Sequence, residues 1–336
     1  MDIVISHMAA LHLIRSMAGF VSDWAACDTT LPSRLPTAEE LRKARTLCPG
    51  LRELDGSPGV LLATKTASRD CDHVVPHVRS EILPKGALFQ VAPGVRCASP
   101  LLLPLLLSAK LSFYEMQLLL AELLGLYAVS SQNPMGLVQR NKPLVTIDEF
   151  RAFLDAIGPA WGSGKVRRTL DRAAVLAASP QEAKLYLRMT LPFAKGGYHL
   201  GKVVLNDEVS LAMLSRRIKT FSTRKPDLLF VGAEKGGVCL DYMGGWHNDA
   251  HQVHKDTQRR NELLANGFTP YEIFKKQYDD LDYMDALAGS IRADLGMSPA
   301  DAAPERQMRR RLARYNLWRE LEHIDLLAWE TSPELR

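Results

Sequence analysis

Paired cysteines are missing from this chain: Cys27, Cys48, Cys71, Cys97 and Cys239 are scattered, odd in number and never spaced C-x-x-C. Neither a disulfide framework nor a zinc ribbon is encoded, and a reducing cytoplasm is the expected compartment. Long apolar runs are also lacking. The most apolar stretch, Leu101 to Leu107 and then Leu118 to Leu126, is cut by Pro104, Lys110, Glu115 and Glu122. It falls well short of the roughly 18 uninterrupted apolar residues that a membrane span needs, so a buried helix pair is expected there. The opening residues, Met1 to His7, have neither the basic nor the long apolar region of a signal peptide, which again points to the cytoplasm. Charge of one sign is not in large excess: 42 basic against 38 acidic side chains leave a net charge of +4. That average does not announce a nucleic-acid partner, and only local clusters can make the case. No glycine-rich nucleotide loop follows the strand-like runs at 59–63 and 87–91, and no fixed-period repeat or low-complexity tract occurs.

What is present is the composition of a folded protein. The 336 residues are 46% hydrophobic and 24% charged, and this length suggests about two domains. Residues 1–135 read as a mixed α/β, helix-rich domain that opens with a short helix from about Met8 to Met17. The polar stretch Ser130 to Pro143 is the best linker candidate. A helical connector over 136–175 is expected to follow, with Thr146 capping one helix and Gly162-Ser163-Gly164 separating it from a basic one. Over 176–297 the pattern predicts a helix from Gln181 to Thr190 and strands at 202–205, 227–231 and 238–243. A long helix over 248–265, a strand at 271–275 and a helix at 281–295 complete an α/β sandwich with a mixed sheet. A basic amphipathic helical tail occupies 298–336.

Three acids stand out in this second region. Glu182 shares a helical face with Leu185, Tyr186 and Met189, which puts a carboxylate on the apolar side of its helix. Asp227 follows Pro226 at the mouth of an apolar strand, and alternation places Asp241 on one face with Cys239 and Met243. Acids at the ends of adjacent strands, with a third on the helix behind them, are hard oxygen donors suited to Mg²⁺ or Mn²⁺ beside a phosphate. His247, His251 and His254 share a face of the following helix, as either a solvated surface or a transition-metal site, although no H-E-x-x-H sequence is present.

The spacing of Glu182, Pro226-Asp227 and Asp241-Tyr242-Met243 resembles the PD-(D/E)XK nuclease superfamily. Further residues extend the match: Ser179-Pro180-Gln181-Glu182, Gly196-Gly197-Tyr198, Asn206, His247, and Asp256 to Leu263 with Gly267. Over about 175–280 these are similar to actinobacterial endonuclease-domain proteins related to very-short-patch-repair enzymes. More loosely, Ser6-His7-Met8-Ala9-Ala10-Leu11 with Ser99-Pro100 to Tyr127 resembles the amino-terminal half of AbiEi-type antitoxin or abortive-infection proteins. The resemblance implies a restriction-endonuclease-like fold and a Mg²⁺- or Mn²⁺-dependent DNA endonuclease in a defence or toxin–antitoxin setting. Asp227, Asp241 and Glu182 are the implied metal ligands. His247 is implied beside the active site, as general acid or phosphate contact, or else as a structural histidine. The chain departs from the pattern at Met243, which stands where the motif lysine would be, and carries Asp241 where relatives more often have Glu. A catalytically degenerate regulator that binds nucleic acid or protein is therefore the alternative.

Basic clusters supply the substrate side. Arg216, Arg217, Lys219, Arg224 and Lys225 occur without an acid and lead directly into Asp227, as expected of a loop that meets phosphates, or of a solvated basic loop. Arg259 and Arg260 are further candidate nucleic-acid contacts, with an ion-pair role as the alternative. Residues 306–319 hold six arginines and no acid. The tail helix or the amino-terminal half could instead join a second copy or a cognate protein.

Overall fold

The computed structural model describes residues 1–17, 27–54, 56–64, 71–201, 203–206, 209–212, 221–231, 237–244, 260–300 and 303–330. The chain is mixed α/β and forms two compact units. Unit 1 comprises Met1–Ala173 with Ile324–Arg336, and unit 2 comprises Ala174–His323.

Unit 1 is built on strands β1 (Ile3–Ser6), β2 (Gly59–Leu62), β3 (Val75–Val78), β4 (Leu88–Ala92) and β5 (Val95–Ala98), in the spatial order β3-β2-β1-β5-β4. β1 is fully buried and pairs parallel to β5 and antiparallel to β2. Around the sheet lie α1 (His7–Ser16), α2 (Ala38–Leu47), α3 (Pro49–Arg52), α4 (Leu103–Leu107) and α5 (Phe113–Leu123). The leucine-rich stretch is a buried helix pair, as expected, and no helix among the described residues is long and apolar enough to cross a membrane.

The expected linker is not a boundary. Ser130 to Pro143 instead completes a hairpin of β6 (Tyr127–Val129) and β7 (Leu137–Gln139), where the Ser130 N–H donates to the Gly136 carbonyl at 3.0 Å. A polar stretch with Asn, Pro and Gly suits a tight turn as well as a linker. The expected connector likewise belongs to unit 1 as far as Ala173. Helices α6 (Ile147–Ile157) and α7 (Ser163–Leu170) bury Phe150, Phe153, Leu154, Val166 and Leu170. The Gln117 amide donates to the Thr169 carbonyl at 3.0 Å, and Lys165 Nζ donates to the Ser108 carbonyl at 2.8 Å. Thr146 caps α6 in a reciprocal box with Glu149.

Unit 2 begins with α8 (Pro180–Thr190), followed by β8 (Val203–Leu205), a two-stranded pair β9 (Val209–Ala212) and β10 (Phe221–Arg224), then β11 (Leu228–Val231), β12 (Gly237–Met243) and β13 (Phe268–Phe274). The main sheet has the order β13-β12-β11-β8. Its β8, β11 and β12 are antiparallel neighbours, while β13 runs parallel to β12. Leu228, Phe230 and Leu240 are fully buried, and Leu229, Cys239 and Leu263 form a second cluster with Phe268 against it. Leu263 lies in the helical residues 260–265, which end where Gly267 takes φ +83°.

After α9 (Lys275–Asp279) and α10 (Leu281–Asp294) comes α11 (Pro304–His323). The predicted tail is thus divided: α11 belongs to unit 2 and the residues after His323 to unit 1. Leu317 and Leu321 bury α11, and its cations meet acids of α10, Arg314 Nε lying 2.8 Å from Asp285 and Arg311 bonding to Asp282. A Cβ at Gly196 would stand 2.3 Å from the Ala313 carbonyl oxygen, so only glycine lets the turn after Lys195 approach α11 this closely.

The last segment is tied to α1 by a buried ion pair. Arg15 donates to Glu122 through Nε and Nη2, at 2.9 and 2.8 Å, and through Nη1 to the Leu326 carbonyl at 3.0 Å. Arg15 and Glu122 side chains are 3% and 1% exposed. Removing one partner leaves the other charge buried, so Arg15→Met is expected to lower the unfolding free energy of unit 1 by about 3–5 kcal/mol. Urea denaturation checks this, and a loss below about 1 kcal/mol would contradict it.

Candidate active site

Pro226 is buried, and as a proline it favours an extended backbone in Lys225, the residue before it. The chain therefore enters β11 with Asp227 as its first polar residue. The β11–β12 register pairs Leu228 with Leu240 and Leu229 with Cys239. One residue earlier, the same register sets Asp227 opposite Asp241. Two hydrogen bonds fix this pair reciprocally. The Asp227 N–H donates to Asp241 Oδ1 at 3.0 Å, and the Tyr242 N–H donates to Asp227 Oδ2 at 2.7 Å. Asp241 is 8% exposed and Asp227 half-buried. Like charges facing one another across strands repel; here each carboxylate is held by a backbone donor from the other's segment.

Two further residues, not singled out as site residues from the sequence, join this row. In the β8–β11 register Leu205 faces Leu228, so Asn206 follows opposite Asp227, and its N–H points to the Pro226 and Asp227 carbonyls at 3.2 and 3.3 Å. In the parallel β12–β13 register Glu272 pairs with Asp241 and is exposed. The row across the sheet is therefore Asn206, Asp227, Asp241, Glu272. Strand alternation in 268–274 carried a signal for Glu272 only once its partner strand and register were known.

Glu182 reaches the row through Asn206, and among the described residues it does not complete a three-residue metal group with the two aspartates. Its Oε2 accepts from the Asn206 side-chain amide and the Ala178 N–H, both at 2.8 Å, and its Oε1 accepts from Ser179 Oγ at 3.0 Å. Ser179 in turn caps α8 by accepting from the Glu182 N–H at 3.1 Å. This is a helix-capping arrangement. Asn206 adopts φ +49°, a left-handed conformation that asparagine tolerates, and its amide also donates to the Leu176 carbonyl at 2.9 Å. Burial raises the Glu182 pKa above the ordinary glutamate value; the Ala178, Asn206 and Ser179 donors oppose that rise, and the negative charge of Asp241 adds to it.

Among the described residues, no group of three or more His, Cys, Asp or Glu side chains is arranged to hold a metal ion. Asp227 and Asp241 supply the donor set that Mg²⁺ ordinarily takes from a protein, one or two carboxylates, with waters and substrate phosphates filling the remaining positions. The donor chemistry fits a hard divalent cation whose coordination is completed by substrate. It does not provide an all-protein cage.

Of the basic residues, Lys225 and Arg260 are exposed, and Arg224 lies in β10. Arg216, Arg217, Lys219, His247 and Arg259 lie outside the described residues, as do His251 and His254. Met243, two positions beyond Asp241, pairs in register with Phe274.

Protein-family models, curated proteins and solved structures give no match to this chain.

The electrostatics make a direct prediction. Because Asp241 contributes to raising the Glu182 pKa, Asp241→Asn is expected to lower it, as read from the Glu182 carboxyl carbon in an NMR titration. With the folded value raised, the site favours neutral Glu182: its contribution to stability declines as pH rises from the unfolded pKa through the folded one. An unchanged or higher midpoint in the variant would contradict the arrangement.

Proposed function

We propose that unit 2 is a metal-dependent DNA endonuclease domain of the PD-(D/E)XK, restriction-endonuclease-like type, acting in the cytoplasm in a defence or toxin–antitoxin setting. The observation that carries this reading is the reciprocal hydrogen-bonded pair Asp227 and Asp241 at the start of β11 and within β12. Supporting it is the element order: a helix, three antiparallel neighbours, a helical stretch and a strand parallel to the third, with the two acids on the central strands.

In this reading Asp227 and Asp241 hold Mg²⁺ or Mn²⁺, which when bound lowers the pKa of a water and neutralises charge on the scissile phosphate. Glu182 and Asn206 position the row, with Glu182 acting through its hydrogen bonds. Exposed Lys225 and Arg260, with Arg216, Arg217, Lys219, Arg224 and Arg259, neutralise DNA phosphates along the approach. His247 serves as general acid or phosphate contact.

Met243 favours a second reading, a degenerate nuclease fold that binds nucleic acid or a protein as a regulator. A thioether neither orients a nucleophilic water nor stabilises an anionic transition state as a lysine does.

The test is nicking of supercoiled plasmid by the full chain. With Mg²⁺ or Mn²⁺ the protein is expected to nick, and Asp227→Ala or Asp241→Ala, each checked for folding by circular dichroism, to reduce the rate roughly 100-fold or more. Met243→Lys is expected to raise it. Cleavage that is unaffected by chelation or by both alanine variants overturns the metal assignment; DNA binding without cleavage, including by Met243→Lys, supports the regulator. Separately, Lys225→Ala is expected to lower the slope of log affinity for DNA against log salt by about one. An unchanged slope removes Lys225 from the phosphate track.

A further inference from the structure

The Ser6-His7 step lies at the junction of β1 and α1 in unit 1, and His7 lines a cavity there. His7 is 7% exposed and adopts φ +53°, a left-handed conformation unusual for a residue with a side chain. Its ring stacks on His77, with centroids 3.5 Å apart and planes 23° from parallel, and His7 Nδ1 is hydrogen-bonded to Ser6 Oγ at 3.0 Å. Gly59 makes room: a Cβ there would lie 3.1 Å from the Ser6 carbonyl oxygen and 3.4 Å from His77 Nε2. That Nε2 is buried and has no hydrogen-bond partner.

The cavity, about 540 Å³, is also lined by Arg79, Glu81, Lys110 and Trp161. Its volume is in the range of pockets that take small organic molecules, roughly 300–1,000 Å³. Arg79 is 8% exposed and lies 5.7 Å from the centroid of Trp161, which is itself 58% exposed. Glu81 accepts from one terminal nitrogen of Arg79 at 3.1 Å and is the one acid on the wall among the described residues. Arg79 and Lys110 therefore leave the pocket net positive. Burial, the stacked partner ring and these two cations push the His7 pKa down to about 2, and burial with Lys110 pushes that of His77 down to about 4. Both imidazoles are thus neutral near pH 7, and each can hydrogen-bond without adding repulsion to the stack.

We propose that unit 1 binds a nucleoside monophosphate in this cavity, the phosphate meeting Arg79 and Lys110 and the base stacking on Trp161. A guanidinium and an ammonium suit the several acceptor oxygens of a phosphate monoester. An exposed indole beside them offers a flat surface to a purine or pyrimidine.

Calorimetric titration of the full chain with AMP, GMP, CMP and UMP, with the matching nucleosides, and with inorganic phosphate tests the proposal. At least one monophosphate is expected to bind at least tenfold more tightly than its nucleoside and than inorganic phosphate. Lys110→Gln is expected to weaken it about tenfold, and Trp161→Ala to reduce it to the level of inorganic phosphate. Both side chains are exposed, so both variants are expected to keep the wild-type melting temperature. No binding at millimolar nucleotide, equal binding of nucleotide and nucleoside, binding of inorganic phosphate alone, or wild-type affinity in both variants would each overturn it. None of these outcomes depends on nuclease activity in unit 2.

Discussion

The pairing of Asp227 with Asp241 is the constraint around which unit 2 is arranged. Two carboxylates facing each other across antiparallel strands would ordinarily drive the strands apart. Here the Asp227 N–H points at Asp241 and the Tyr242 N–H points at Asp227, so the charges are stabilised by the backbone that brings them together. The same exchange fixes the register: a slip of one residue would turn Asp241 toward the opposite face, where Leu228, Phe230 and Leu240 are fully buried. Asn206 on one side and Glu272 on the other extend the pair into a polar row at the edge of an apolar sheet.

Much of this was legible in the sequence because it is local. Alternation in 238–243 set Asp241 apart from its apolar neighbours, Pro226-Asp227 marked the mouth of a strand, and Thr146 and Gly267 announced helix ends that the structure contains. What was not legible depends on long-range pairing. Helical periodicity correctly placed Glu182 on the buried face of α8, but it did not show what the carboxylate bonds to. Ser179-Pro180-Gln181-Glu182 is also a capping sequence, and the carboxylate is engaged by Ala178, Ser179 and Asn206. Asn206 and Glu272 acquire meaning only through their registers with β11 and β12. The polar composition of 130–143 suited a linker or a hairpin turn, and only the pairing of Tyr127–Val129 with Leu137–Gln139 distinguishes them. In α11 the apolar residues do not act as one stripe. Leu317 and Leu321 are buried while Leu312 is 60% exposed, and Arg311 and Arg314 beside it answer Asp282 and Asp285.

The two proposed sites call for opposite chemistries toward phosphate. Unit 2 offers carboxylates, which attract a phosphate only through a cation and so suit a site that polarises it. Unit 1 offers a guanidinium and an ammonium, groups that hold an anion directly and suit recognition. This contrast explains why a weak net charge is compatible with both. The average of +4 includes a carboxylate row, cations committed to ion pairs such as Arg15–Glu122 and Arg314–Asp285, and exposed cations such as Lys225 and Arg260.

With two carboxylates opposed among the described residues and Glu182 engaged in capping, metal affinity in the absence of DNA is expected to be weak, and the location of the ion is more informative than its binding strength. Paramagnetic broadening of backbone amide resonances by Mn²⁺ measures that location directly. The account predicts that substoichiometric Mn²⁺ broadens the amides of Asp227, Leu228, Asp241 and Tyr242 first, and that Mg²⁺ restores them by competition. Broadening that begins elsewhere in the chain, or that leaves these four amides sharp, would contradict it.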